Sequence, residues 1–477
     1  MNFLDFIGYD RHGKIKDLPT SLNKGKLNAS GVTLAALGFN APAWVAASSM
    51  SILYGIVGHA APLAILIAYF FPMLIIALCM IYLVRQAPSA AGTFTFVQKF
   101  IHPNVATIIG WTYGIACAAV TPMTAVIGAL YIQSLIPNLQ AAWWAPVIGT
   151  VMILVFCLVS LRGIELTAKV AGIFLIFEIA VVAGLGIFGI LDPHSPGISF
   201  SSFYSVNEAG GWAALGPGVL FGVWMLANFD SSINLIEEAK VPVRTIQKSM
   251  IFVLTIAFIV YSLAAIGWQL AVPVDQLASI VESGDGGPIG AVANVYLPTG
   301  LSWIVLFVVV TSASAGLQIS MSSAARTFYR MSEEGNLPSW IGQVNKHKVP
   351  WVATVLVTIT SIILVWYKPL GKLQWYYDVV TITLVISYIS ALVAFIVVIY
   401  KDKKAGIATA VSVIPLFCII VLGYIGYTAG AQPADPANLY NAWYMGAFVI
   451  LSGIAWVVYG QIRKKKTINV RGSKADL

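Results

Sequence analysis

Three carboxylates stand in stretches that are otherwise almost wholly apolar: Glu178, Asp230 and Asp378. Glu178 lies in Ile173-Phe174-Leu175-Ile176-Phe177-Glu178-Ile179-Ala180-Val181, with no polar neighbour in sequence. Asp230 follows Trp224-Met225-Leu226-Ala227-Asn228-Phe229 and is itself followed by Ser231, Ser232 and Asn234. A carboxyl in such a setting can carry a proton, and as a carboxylate it suits an ammonium group. Glu178 and Asp230 are therefore candidates for proton coupling. Asn, Asp and Ser compete with the helical backbone for hydrogen bonds, so a helix crossing 227–231 is expected to open there. A second interruption is written in Gly38-Phe39-Asn40-Ala41-Pro42-Ala43-Trp44, where Pro42 lacks an N–H and frees the carbonyl four residues earlier. Thr311, Ser312 and Ser314 supply hydroxyls for a sodium site or for helix packing. Asp378 follows Trp375-Tyr376-Tyr377 and reads as an interfacial residue beside an aromatic belt.

The elements that position these groups must tolerate an apolar medium. Of 477 residues, 59% are hydrophobic and 10% are charged, and mean hydropathy is +0.85. A soluble domain carries roughly 25% charged residues, so these side chains are too few to cover a wetted surface. The medium is lipid, which excludes a soluble enzyme, a nucleic-acid-binding domain and a disordered chain. Twelve runs are long enough to cross a bilayer: 31–56, 60–84, 104–135, 143–161, 167–191, 211–236, 247–271, 300–325, 350–367, 374–400, 406–428 and 441–462. Lipid cannot hydrogen-bond an open strand edge, so the expected fold is all-α. With both termini cytoplasmic, 25 of the 27 Lys and Arg residues fall on the cytoplasmic side. The expected location is the cell membrane, multi-pass. The net charge of +8 then faces anionic headgroups and needs no nucleic acid.

Other patterns carry less. Cys79, Cys117, Cys157 and Cys418 sit in apolar runs without a C-x-x-C, and no histidine occupies mid-span, so no metal or cofactor is expected. Gly184-Leu185-Gly186-Ile187-Phe188-Gly189 matches a dinucleotide fingerprint, but it lies inside an apolar run and reads as close helix packing. Gly110/Gly114 and Gly218/Gly222 read the same way. Neither a membrane-enzyme motif nor a selectivity-filter repeat is visible. No hydrophilic segment is large enough for a nucleotide-binding fold, so work would have to draw on a gradient.

Four segments carry a family resemblance. Pro88-Ser89-Ala90-Ala91-Gly92-Thr93-Phe94 with Gly110-Trp111 looks like P-x-G-G-x-Y…G-W. Leu161-Arg162-Gly163-Ile164 looks like N-x-x-G-[IV]. Glu237-Glu238-Ala239-Lys240-Val241-Pro242-Val243-Arg244-Thr245-Ile246 looks like E-E-x-x-x-P-x-R-x-I. Ser323 to Met331 with Gly335-Asn336-Leu337-Pro338 looks like S-R-x-x-Y-x-M-x-x-[DE]-G-x-L-P. In this order they resemble the amino acid–polyamine–organocation (APC) superfamily of permeases over nearly the whole chain. The resemblance implies a LeuT-type 5+5 inverted repeat plus two C-terminal helices: a cytoplasmic segment 1–30, a core 31–400, two further spans in 401–462 and a cytoplasmic tail 463–477. It implies alternating access, with an amino acid or a polyamine or other organic amine held between opened spans 1 and 6. The implied substrate-binding positions are Asn40, Ala41, Pro42, Ala43, Trp44, Tyr113, Trp224, Ala227, Asn228 and Asp230. Glu178 falls where several members carry a lysine thought to stand in for sodium, so the coupling ion is a proton or sodium, or transport is by exchange. Pro42-Ala43-Trp44 replaces the family's span-1 G-S-G, whose amides bind a substrate carboxylate, and Asn228 replaces its span-6 glycine.

Overall fold

The computed structural model describes residues 27–475 except 163, 196, 209, 281–286, 299, 368–372, 403–404 and 432–438. The remainder of the expected cytoplasmic segment 1–30, and Lys368 and Lys372, the two basic residues outside the charge pattern, lie outside the described residues. Among the described residues the regular structure is helical apart from one isolated bridge between Leu27 and Ala239. In order the helices are α1 (Ala29–Asn40), α2 (Pro42–Val57), α3 (Ala61–Ala68), α4 (Leu74–Gln86), α5 (Thr93–Phe100), α6 (Pro103–Leu135), α7 (Trp144–Leu161), α8 (Ile164–Leu191) and α9 (Trp212–Met225). A 3₁₀ segment, Phe229–Glu238, follows. Then come α10 (Pro242–Ala271), α11 (Val274–Ser279), α12 (Gly287–Tyr296), α13 (Ser302–Glu333), α14 (Trp351–Tyr367), α15 (Leu373–Asp402), α16 (Ala405–Ala431) and α17 (Asn441–Ala475).

Among the described residues, ten stretches are long and apolar enough to cross a membrane, and Trp351–Tyr367 is a shorter apolar helix. The first, Ala29–Gln86, has 58 residues. At about 1.5 Å per residue it would be roughly three times a ~30 Å hydrocarbon core if straight. It is interrupted at Ala41, at Gly58–Ala60 and again near Phe71, whose φ of −152° and ψ of 103° are not helical.

Small residues set how closely the helices approach. On α8, a Cβ at Gly189 would collide with the Gly267 backbone of α10, and one at Gly186 would sit 2.5 Å from the Leu263 carbonyl oxygen. The glycine pattern at 184–189 is thus a helix crossing, and Gly184, with nothing within 4 Å, is not needed for it. On α9, Gly218 and Gly222 admit Val57 of α2 and Ala64 and Ala68 of α3. On α6, Gly110 and Gly114 admit Phe94, Met331 and Phe328. The crossing of α8 on α10 places Glu178, and α9 against α2 and α3 holds the two expected interruptions side by side.

Two arginines, Arg326 and Arg330, lie beyond the run 300–325 expected from the sequence. Helix α13 continues to Glu333, and both arginines are folded into it. Arg326 Nη2 lies 2.7 Å from Glu238 Oε1, with side chains only 7% and 5% exposed. Arg330 pairs with Glu237 at 3.2 Å and Glu333 at 2.6 Å. Glu237 and Glu238 lie at the end of the 3₁₀ segment and Glu333 on α13 itself, and this pairing lets the helix run past the apolar stretch. Residues just before α1 close the same end. Leu27 N–H donates to the Glu238 carbonyl at 2.9 Å and Lys240 N–H donates to the Leu27 carbonyl at 2.8 Å.

Candidate functional site

The first interruption follows from local chemistry. Helix α1 ends at Asn40, Ala41 adopts a left-handed conformation (φ 44°, ψ 71°), and α2 begins at Pro42. Proline cannot supply the N–H that would continue α1, whereas its fixed φ suits a first helical position. At the second, α9 ends at Met225 and the 3₁₀ segment starts at Phe229, with Asn228 left-handed at φ 68°. Asparagine tolerates that region better than most residues. A 3₁₀ run of 10 residues is long for that geometry.

One side chain laces the two together. The Asn40 amide donates to the carbonyls of Met225 and Ala227, both at 3.0 Å, and its oxygen accepts the Tyr261 hydroxyl at 2.6 Å. The carbonyls freed by the second opening are therefore satisfied from the first. Sequence reasoning placed Asn40 among substrate-binding positions; all three of these bonds are internal. Tyr261, on α10, carried no signal in sequence that would single it out.

Glu178 is fully buried against the start of α2. Ser312 donates to its Oε2 at 2.5 Å, and the Trp44 N–H donates to Ser312 Oγ at 3.2 Å. The Ala43 N–H is directed to the same carboxyl. These two amides are the first that the start of α2 offers, since Pro42 has none. An acid at a helix N-terminus is favoured by both the unsatisfied N–H groups and the macrodipole. Glu178 Oε1 has no hydrogen-bond partner. Of the three hydroxyls named for sodium, only Ser312 turns toward this site. Thr311 donates to the Val308 carbonyl and Ser314 to the Val310 carbonyl, both at 2.8 Å within their own helix.

Asp230 sits in the first turn of the 3₁₀ segment and is 3% exposed. Tyr388 of α15 donates to its Oδ1 at 3.2 Å, and the Tyr113 hydroxyl of α6 reaches the same carboxyl. Tyr113 was singled out in the sequence; Tyr388 was not, because its helix is apolar and its hydroxyl acquires meaning only once α15 packs beside the opening. Asp378 differs from expectation. It is 4% exposed and accepts from Asn441 at the start of α17 at 3.2 Å, so it is a buried group between helices.

Aromatic rings cover the openings on the α2 side. Trp44 and Trp224 meet edge to face with centroids 6.0 Å apart, and Tyr377 meets Trp224 at 4.7 Å. Phe221 touches both Trp224 and Tyr377. Ala41, Pro42, Ala43, Trp44, Trp224 and Ala227 are buried and Asn228 is half-buried. The openings thus lie between this aromatic layer and the Arg326–Glu238 end. Glu178 lies beside the first opening, with Ser312 and Ala43, and Asp230 beside the second, with Tyr113 and Tyr388.

A sequence model of the family described as Amino acid permease matches residues 30–452. The chain belongs to the amino acid permease family. It lies within the APC superfamily and is a multi-pass membrane protein. The low-affinity putrescine importer PlaP of Escherichia coli K12 is 24% identical over 317 residues, 66% of this chain and 66% of that protein. The glutamate/serine transporter AimA of Bacillus subtilis 168 is 25% identical over 339 residues, 67% of this chain and 61% of AimA. The gamma-aminobutyric acid permease of Escherichia coli K12 is 22% identical over 429 residues, 85% and 88% of the two chains. The matches to PlaP and AimA span just under two-thirds of those proteins' lengths. The family and relatives named are transporters rather than enzymes.

Proposed function

We propose that this chain is a secondary active transporter that moves an amino acid or a related organic amine across the cell membrane by alternating access. The observation that carries this reading is the pair of neighbouring openings in α1/α2 and α9/3₁₀, laced by Asn40 and flanked by two buried acids. Opened backbone at membrane depth persists only where it is enclosed by protein or lines a cavity, and two such helices mark a midplane binding site. Asp230 receives the substrate ammonium, with Tyr113, Trp44 and Trp224 offering ring faces beside it. The relatives' names, covering putrescine, glutamate/serine and gamma-aminobutyric acid, support a small nitrogen-bearing substrate. The chain crosses the bilayer twelve times with both termini cytoplasmic. Residues 31–400 form two inverted five-crossing halves and 401–462 form two more crossings.

Coupling is to protons or by exchange, with Glu178 as the group that takes up the proton. Its contact with Ser312 and the start of α2 ties its protonation to the first opening. In proteoliposomes, Asp230→Asn is expected to lower uptake and counterflow at least about tenfold, the loss of a charge-assisted contact. Glu178→Gln is expected to reduce uptake and change its dependence on pH. Unaltered transport by both variants removes these roles. If uptake survives collapse of the proton gradient but stops without sodium, the proton assignment to Glu178 is wrong.

A further inference from the structure

The segment that carries Asp230 is wound against its own sequence pattern. Over Phe229–Glu238 the backbone is 3₁₀, and at each end an N–H reaches the carbonyl three residues back: Ser231 to Asn228 at 3.1 Å and Ala239 to Ile236 at 3.3 Å. Three residues per turn stack every third side chain on one face. Asp230 therefore shares its face with Ile233 and Ile236, while Ser231, Asn234 and Glu237 form a separate polar stripe. That stripe is poorly served. All three residues are buried, Ser231 Oγ and Glu237 Oε2 have no hydrogen-bond partner, and the Asn234 amide nitrogen is turned toward the Tyr113 hydroxyl without closing a bond. At the α-helical pitch of about 100° per residue the same sequence sorts itself. Asp230, Ser231, Asn234, Glu237 and Glu238 then fall within about 120° of one another, and Phe229, Ile233, Leu235 and Ile236 take the other side.

We propose that residues 229–238 wind from 3₁₀ to α-helix during the transport cycle, carrying Asp230 away from the openings and onto the face of Glu237. This rests on the transport reading above and gives it a moving part. The far end of the segment is tied: Arg326 holds Glu238 at 2.7 Å, and Leu27 pairs with the backbone at Glu238 and Lys240. Each residue wound from 3₁₀ to α turns about 20° less and rises about 0.5 Å less. Between Glu238 and Asp230 this amounts to a turn of about 160° and a shortening of about 4 Å. The gap at Ala227–Asn228 widens by the same length, and Asn228, already left-handed, is the hinge. One winding step thus turns the acid that holds the substrate ammonium and enlarges the opening beside it.

Ser232 supplies the test. Its Oγ lies 2.9 Å from Ser249 Oγ on α10, and winding to α turns Ser232 about 120° away from that contact. Ser232→Cys with Ser249→Cys therefore places two thiols where copper phenanthroline joins them, which fixes the 3₁₀ form. The four native cysteines are buried and stay in place. Proteoliposomes holding the full-length protein are given labelled putrescine, glutamate, serine and gamma-aminobutyric acid in turn. Oxidation of the double variant should lower uptake and counterflow of the transported compound at least about tenfold while that compound still binds, and reductant should restore them. The single-cysteine variants should respond to neither reagent. If the segment and α10 instead move as one rigid body, the cross-link is silent. Unchanged uptake by the cross-linked protein, or a pair that the oxidant does not join, overturns the inference and leaves the transport reading standing. Should the double variant not fold, the wild type decides. In a cryo-electron-microscopy structure open to the cytoplasm, the Asp230 and Glu238 Cα atoms should stand about 4 Å closer together, and an unchanged spacing is the overturning result. If the wild type neither takes up nor exchanges any of the four compounds, the transport reading and this inference fall together.

Discussion

Replacing Asn40 tests the joint between the two openings directly. Asn40→Ala removes the partner of three buried groups: the Met225 and Ala227 carbonyls and the Tyr261 hydroxyl. Each buried polar group left unpaired costs about 1–3 kcal/mol. The three groups left behind face one another, and partial relaxation or a bridging water would recover part of that. The expected loss is therefore about 3 kcal/mol, well below the sum of the three. Tyr261→Phe leaves only the Asn40 oxygen without its donor and should cost about 1–2 kcal/mol. Because the two side chains share one bond, the double variant should cost at least about 1 kcal/mol less than the sum of the singles. Asn40→Asp nearly preserves shape but turns two donors toward carbonyls into acceptors, so it should be at least as damaging as alanine. The assay is reversible unfolding in mixed micelles against increasing detergent denaturant. Two single variants each within about 0.5 kcal/mol of the parent, or strictly additive losses, would refute the lacing argument.

Other consequences are as concrete. Gly267→Ala forces a methyl group into the Gly186 backbone and should destabilise by about 1–3 kcal/mol or more, whereas Gly184→Ala, with open space around it, should be neutral or slightly stabilising. The same unfolding assay compares them, and equal effects would sink the crossing argument. Arg326→Ala leaves Glu238 buried without that cation; breaking a buried pair costs about 3–5 kcal/mol. A cysteine placed at Ala239 should then react faster with a membrane-impermeant thiol reagent, and an unchanged rate would show that the pair does not hold this end closed.

Much of the architecture is legible without coordinates because lipid leaves few choices. Runs of about twenty apolar residues must be helices, and their boundaries in the structure differ from the sequence reading by a few residues at most ends. There are two larger exceptions: α17 runs thirteen residues past its expected end, and α13 was extended by eight because its two arginines found acids on another segment. Helices α5, α11 and α12 were not anticipated. They are short, and their buried faces become apparent only against the long helices. The openings were visible because Pro42, Asn228 and Asp230 are local chemistry: each disturbs the backbone of its own turn whatever surrounds it.

By itself, then, the sequence determined that this is an all-helical membrane protein, where two of its helices open, and which acids cannot face lipid. Those are consequences of one residue's chemistry in one solvent. Only the tertiary structure decided that Asn40 serves the other helix's carbonyls, that Ser312 joins Glu178 to the start of α2, and that Tyr388 reaches Asp230. These pairs are 185 and 187, 134, and 158 residues apart. A hydrogen bond is set by a few tenths of an ångström between atoms, and nothing local to either partner encodes that distance.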